Sequence, residues 1–287
     1  MLYLFLSILF NTLPFVLFKL FAKYNIDILQ ALVVNYLIAF LVGFLFLEDS
    51  TSLIKIDNQS WFVGSICLGV IFIVNFYFTT LATQRNGISV VTVASKMSVI
   101  IPVALGVFLY NESLGPIKII AIGIALLAIY FTSLKESGIS RSTNYLLYPI
   151  LVFFGAGIID SSLKYLQTFY IKAEEIQLFS TLTFLFAFFV GMVAMVYKSI
   201  NETTAIRGKN IIGGIILGIP NYFALYFMVK MLDAKAFQSA TLFTIHNIAI
   251  VIVSTFVGIL FFKETISKRN VFGIGLALLA LFLVTYY

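Results

Sequence analysis

Ten apolar stretches, parted by short polar breaks, constrain this 287-residue chain more than any other feature of it. They run near 2–22, 28–47, 61–82, 88–110, 116–134, 145–170, 175–197, 211–232, 237–262 and 269–287. An apolar run of about 20 residues crosses bilayer hydrocarbon as a helix, because no water is there to satisfy a backbone N–H or carbonyl. The expected fold is therefore an all-α integral membrane protein. Turn chemistry fills the breaks, as in Asp57-Asn58-Gln59, Arg85-Asn86-Gly87, Gly115-Pro116, Ser137-Gly138 and Asn201-Glu202-Thr203-Thr204. Pro116 suits the first turn of its helix, whereas Pro102 and Pro220 fall inside spans and predict a bend or a freed carbonyl.

Composition agrees. With 61% hydrophobic and 10% charged residues, the chain lacks the charge to cover a water-soluble surface. A net charge of +6 does not point to nucleic acid, because Lys and Arg gather in the gaps between apolar runs, where headgroups lie. The richer basic side, counted literally, is cytoplasmic and leaves both termini outside. The single cysteine, Cys67, excludes an intramolecular disulfide and is expected to be ordinary helix packing. The first run has no basic leader and is read as a mature span. The longest polar connections, Lys135 to Asn144 and Lys198 to Asn210, are too short for an extramembrane domain, so the function is expected within the bilayer or at its faces.

The chain also repeats itself. Gly106-Val107-Phe108-Leu109-Tyr110-Asn111-Glu112-Ser113 leads into Gly123-Ile124-Ala125-Leu126-Leu127-Ala128-Ile129-Tyr130. Gly258-Ile259-Leu260-Phe261-Phe262-Lys263-Glu264-Thr265 leads, over the same spacing, into Gly275-Leu276-Ala277-Leu278-Leu279-Ala280-Leu281-Phe282. Such self-similarity at half the chain length marks a duplication. The expected units are residues 1–140 and 141–287. An odd number of spans in each inverts the second relative to the first, giving ten helices as two inverted five-helix repeats.

These paired segments resemble the EamA-like family of the drug/metabolite transporter superfamily. Ser89-Val90-Val91-Thr92 and Ser239-Ala240-Thr241-Leu242, which open the fourth and ninth spans, and Pro102 in the fourth, add to the resemblance. The ninth span departs from it by lacking a proline. The resemblance implies two inverted repeats around a central cavity and transport by alternating access. It also implies cytoplasmic termini, against the charge count.

Ionisable groups inside a membrane are costly and face a cavity or a partner. Asp160 and Lys164 lie one turn apart on the sixth span and can pair, as a structural seal or as a gating or coupling pair. Lys19 holds the matching place to Lys164 in the first span and joins Asp160 and Lys164 as a gating or coupling candidate, though it is near enough to the helix end to snorkel. Lys96 sits deep in the fourth span beside Ser95 and Ser98, and His246 with Asn247 lies at comparable depth in its counterpart, the ninth. Asn75 and Tyr77 in the third span, and Asn221 and Tyr222 after Pro220, complete the expected substrate-binding set, with packing the competing role for each. Asn35 and Tyr36 are weaker candidates. Glu112 and Glu264 are expected to cap the helices that follow them, and Gly213, Gly214 and Gly218 to allow close helix approach.

Cations outnumber Asp160 in this set, which favours a ligand carrying a carboxylate or phosphate. The expected function is secondary transport of a small polar or anionic metabolite, an amino acid or related organic anion, as an exporter or exchanger in the cell (inner or plasma) membrane. Protons or a counter-substrate would drive it, since there is no P-loop. A lipid or lipid-linked sugar translocator is the alternative. An intramembrane enzyme ranks below both, with one histidine, one cysteine and no His-Glu-x-x-His. No cofactor, metal or nucleic acid partner is expected, and the chain is expected to be a monomer or homodimer.

Overall fold

The computed structural model describes residues 2–47, 59–110, 115–133, 144–201, 205–233 and 239–286. Glu112, the expected boundary between the halves near 135–143, and the turns at Asp57-Asn58 and Ser137-Gly138 lie outside them. The described residues form helices α1 (Leu2–Lys23), α2 (Ile28–Leu45), α3 (Phe62–Asn86), α4 (Ile88–Met97), α5 (Ile100–Tyr110), α6 (Pro116–Ser133), α7 (Asn144–Phe169), α8 (Ile176–Asn201), α9 (Gly208–Asp233), α10 (Ser239–Phe262) and α11 (Lys268–Tyr286). Helices α4 and α5 together make one crossing, so these are the ten expected spans. Eight stretches are long and apolar enough to cross a membrane, and Ile119–Ser133 is a shorter apolar helix.

The helix ends follow local chemistry. Asp27 caps α2 by accepting the Gln30 N–H at 3.0 Å. Pro116 opens α6. Pro102 breaks the fourth crossing: without an N–H at 102, the Ser98 carbonyl accepts from Ile101 at 2.9 Å, and the helix tightens between Met97 and Ile100. Pro220 lies inside a continuous α9, and Pro14 and Pro149 are likewise accommodated within α1 and α7.

Close packing in a membrane relies on small residues, since lipid tails are as apolar as leucine. The two Gly-x-Ala-Leu-Leu-Ala segments illustrate this by packing on each other. Ala125 and Ala128 of α6 and Ala277 and Ala280 of α11 are buried in one cluster, while Leu126, Leu127 and Leu279 point outward as lipid-facing surface. The seam between α2 and α9 depends on Gly214 and Gly218. A Cβ at Gly214 would lie 2.5 Å from the Ala31 carbonyl oxygen, and one at Gly218 would lie 2.7 Å from that of Asn35.

Helix pairing is largely unchanged when the two halves are exchanged. Helices α6 and α11, α2 and α8, and α4 and α10 pair with each other, while the α1–α9 contact is matched by α7–α3 and α2–α9 by α8–α3. The exchange is incomplete: α1 packs on α3, for example, and its counterpart, α7 on α9, has no comparable contact among the described residues.

Candidate functional site

Where α4, α7 and α10 meet inside the bundle, three of the predicted ionisable residues come together. Lys96, at the end of α4, lies within electrostatic reach of Asp160 on α7 and of His246 on α10. The Ser98 hydroxyl oxygen, at the helix break, lies 2.6 Å from the Ser95 carbonyl oxygen and 3.3 Å from Asp160 Oδ2. His246 is 1% exposed, and its Nε2 is 2.9 Å from the Ser7 hydroxyl of α1. The side chain of Asn247 lies beside the ring, yet His246 Nδ1 has no hydrogen bond of acceptable geometry.

Asp160 is packed round by protein and nevertheless presents exposed surface. Phe154, Ile158 and Tyr165 mark the lipid-facing stripe of α7, and Asp160 follows Ile158 by two residues, on the opposite side of the helix. Its exposed surface therefore lies on the side of α7 away from that stripe. A groove of about 310 Å³, lined by Ser161, Ser162, Tyr165, Gly64, Cys67 and Leu105, lies on the Tyr165 side of α7 and does not include Asp160. Cys67 is exposed on this wall, not packed inside as expected.

The other candidates divide by helix face. Asn75 points at α7, where a Cβ on Gly155 would strike its amide, and its buried Oδ1 has no hydrogen-bond partner. Tyr77 does not join it: with Val63, Val70 and Val74 it forms the exposed stripe of α3. Asn221 is spent on packing, its Nδ2 donating to Asn35 Oδ1 at 3.2 Å across the α2–α9 seam. Tyr222 is buried among Phe46, Phe223 and Tyr226 at the same seam. The structure therefore sets Tyr77, Asn221 and Tyr222 apart from Lys96 and His246. Asp160 has partners on α4 in addition to any within its own helix, and Lys164 is half-buried one turn further along.

Two further expectations are corrected. Lys19 does not snorkel outward; its Nζ is 3.1 Å from Glu264 Oε1. Nor does Glu264 cap the helix after it. Both its carboxylate oxygens accept the Ile88 N–H, at 2.9 and 3.1 Å, so it caps α4 in the other half of the chain. The start of α11 is closed instead by Ser267 and Asn270, whose side chains accept each other's backbone N–H at 3.1 and 3.0 Å. Ser7 was missed in the sequence because a lone serine in an apolar run carries no signal of its own. Glu264 was noticed, but its true partner is distant in sequence.

A ten-crossing bundle with Lys96, Asp160 and His246 inside its spans belongs to the polytopic membrane proteins with polar residues at membrane depth. Residues 1–134, which comprise the first five crossings, match the EamA-like transporter family. This bears out, for the first half of the chain, the resemblance read from the paired segments. An uncharacterized protein of Haemophilus influenzae is 28% identical over 289 residues, spanning 98% of this chain and 96% of its own. A crystal structure of another protein, 15% identical, superposes with a TM-score of 0.54 over 97% of each chain; that likeness concerns the fold alone.

Proposed function

We propose that this multi-pass membrane protein is a secondary transporter whose ligand docks between Lys96, Asp160 and His246. The convergence of these groups from both halves of the chain, with Asp160 on the side of α7 away from its lipid-facing stripe, carries the reading. An EamA-like unit already indicates a membrane transporter of small molecules. Because Asp160 offsets Lys96, the centre is less cationic than the residue count implied, and a zwitterion fits it better than a simple anion. A ligand carboxylate on Lys96 and a ligand ammonium on Asp160 would each replace part of a charge pair that is costly to keep desolvated. His246 Nδ1 and Asn247 would supply further polar contacts. The two halves would then rock about this site, opening it to one side at a time, with a proton or counter-substrate gradient as the drive. The cell membrane is its proposed location.

The test is a thermal-shift screen of purified protein against zwitterionic amino acids, monocarboxylates and amines, since a bound ligand raises stability by mass action. Stabilisation by a zwitterion, lost in Lys96→Gln, supports the assignment; equal stabilisation of parent and variant overturns it. A lipid or lipid-linked sugar carrier is the second reading, favoured by the largely apolar groove between α3, α5 and α7. It requires that binding depend on an acyl tail.

A further inference from the structure

At the face where α1, α3 and α10 end and α4 begins, the two halves are tied by a contact that belongs to no ligand site. Glu264 is its centre. Left-handed backbone at Lys263 (φ 52°) turns the chain out of α10, and the Glu264 N–H bonds back to the Gly258 carbonyl at 3.0 Å. The carboxylate is thereby set beneath the first turn of α4, where it meets the Ile88 N–H and the Lys19 ammonium together. Two glycines leave room for it: a Cβ at Gly258 would lie 2.6 Å from Glu264 Oε2, and one at Gly87 would lie 3.0 Å from either oxygen. Gly87 also has φ 98°, a conformation that only glycine adopts without strain. The side chain of Glu264 is only 12% exposed.

The surroundings complete a seal. Lys19 Nζ also reaches the Thr83 carbonyl at 3.4 Å, and Gln84 donates to the Phe18 carbonyl at 3.3 Å, so the ends of α1 and α3 are held together. Beneath them Phe15, Ala82, Ile88, Val91 and Val152 form a buried cluster against Tyr148 and Phe262. Arg85 donates to the Tyr148 hydroxyl at 2.7 Å, which brings in α7. This is also the region where α1 meets α3, the contact that has no equal between α7 and α9 among the described residues.

We infer that Glu264, clamped between Lys19 and the N-terminus of α4, is a latch that holds this face of the bundle shut, and that its release opens a path from this face to Asp160. The inference rests on the transporter reading for its purpose but not for its geometry. A carboxylate at a helix N-terminus and an opposed ammonium are each modest attractions, so the latch can hold one conformation and still yield to a competing one.

The experiment needs no substrate. With the exposed native thiol removed (Cys67→Ser), Val91→Cys places a single reporter in the buried cluster behind the latch. A membrane-impermeant maleimide is applied to sealed vesicles of each orientation. With Glu264 intact the reporter is expected to react slowly from the latch face. Glu264→Ala or Gly258→Ala should raise that rate roughly tenfold, about 1.4 kcal/mol of population shift. Glu264→Gln, which keeps an acceptor for Ile88 but loses the ion pair, should give an intermediate rate. Unchanged labelling in folded, monodisperse Glu264→Ala and Gly258→Ala proteins overturns the latch. So does an equal rise in Asn221→Ala, whose change is confined to the α2–α9 seam. A failed ligand screen with altered labelling would sink the site assignment alone.

Discussion

Two sets of opposed charges among the described residues, one at the latch and one at the centre, are built differently. At the latch, Lys19 and Glu264 are in direct contact at 3.1 Å, a backbone N–H takes up the remaining carboxylate capacity, and apolar side chains cover the whole. At the centre, Lys96 and Asp160 act on each other with only a 3.3 Å serine contact added, and Asp160 keeps exposed surface. A saturated ion pair between two halves is suited to fastening; two opposed charges that are not in direct contact leave hydrogen-bonding capacity unused.

The largest expected effect comes from the centre. Lys96→Gln or Asp160→Asn should lower ligand affinity more than tenfold, about 1.4 kcal/mol or more, while leaving latch labelling unchanged, as read by ligand thermal shift and maleimide rate. Next is a packing control that touches neither set. Gly214→Ala forces a methyl against the Ala31 carbonyl and should cost roughly 1–3 kcal/mol of stability, seen as a lower Tm in detergent, with ligand affinity retained. Ser7→Ala removes the partner of His246 Nε2 and is expected to cost about 1 kcal/mol of binding, with rescue by Ser7→Thr.

The smallest effect concerns a third pair, Asp27 with Lys198, at 2.9 Å on the same face as the latch. Burial raises the Asp27 pKa, but the Gln30 N–H and Lys198 outweigh it and hold the carboxyl below its ordinary 3.8. The pair's contribution is thus complete above that value and is lost as pH falls below it. Both side chains are about a third exposed, so the Tm difference between the parent and Asp27→Asn should correspond to less than about 1 kcal/mol at pH 7 and shrink as the pH falls below 3.8.

The spans were legible because length and turn chemistry settle them, and the α6–α11 contact because its alanines recur in both copies. Which way each polar residue points was not. In a soluble helix the apolar stripe marks the inner face, but here lipid and core are equally apolar, so Asn75 and Tyr77 look alike in sequence while facing different sides. Asn221 and Tyr222 went to a packing seam for the same reason. Lys96 and His246 stood out because a deep charge and the only histidine are rare enough to need a reason. Glu264 was visible as an acidic turn, but that it caps α4 across the chain follows only from the tertiary fold.

The central claim is that Lys96 and Asp160 each hold one charge of the ligand. It is tested by comparing binding of a zwitterionic amino acid, its deaminated acid and its decarboxylated amine to the parent, Lys96→Gln and Asp160→Asn proteins. The account predicts that the parent prefers the zwitterion, that Lys96→Gln no longer distinguishes it from the amine, and that Asp160→Asn no longer distinguishes it from the acid. The same ligand ranking in all three proteins would contradict it.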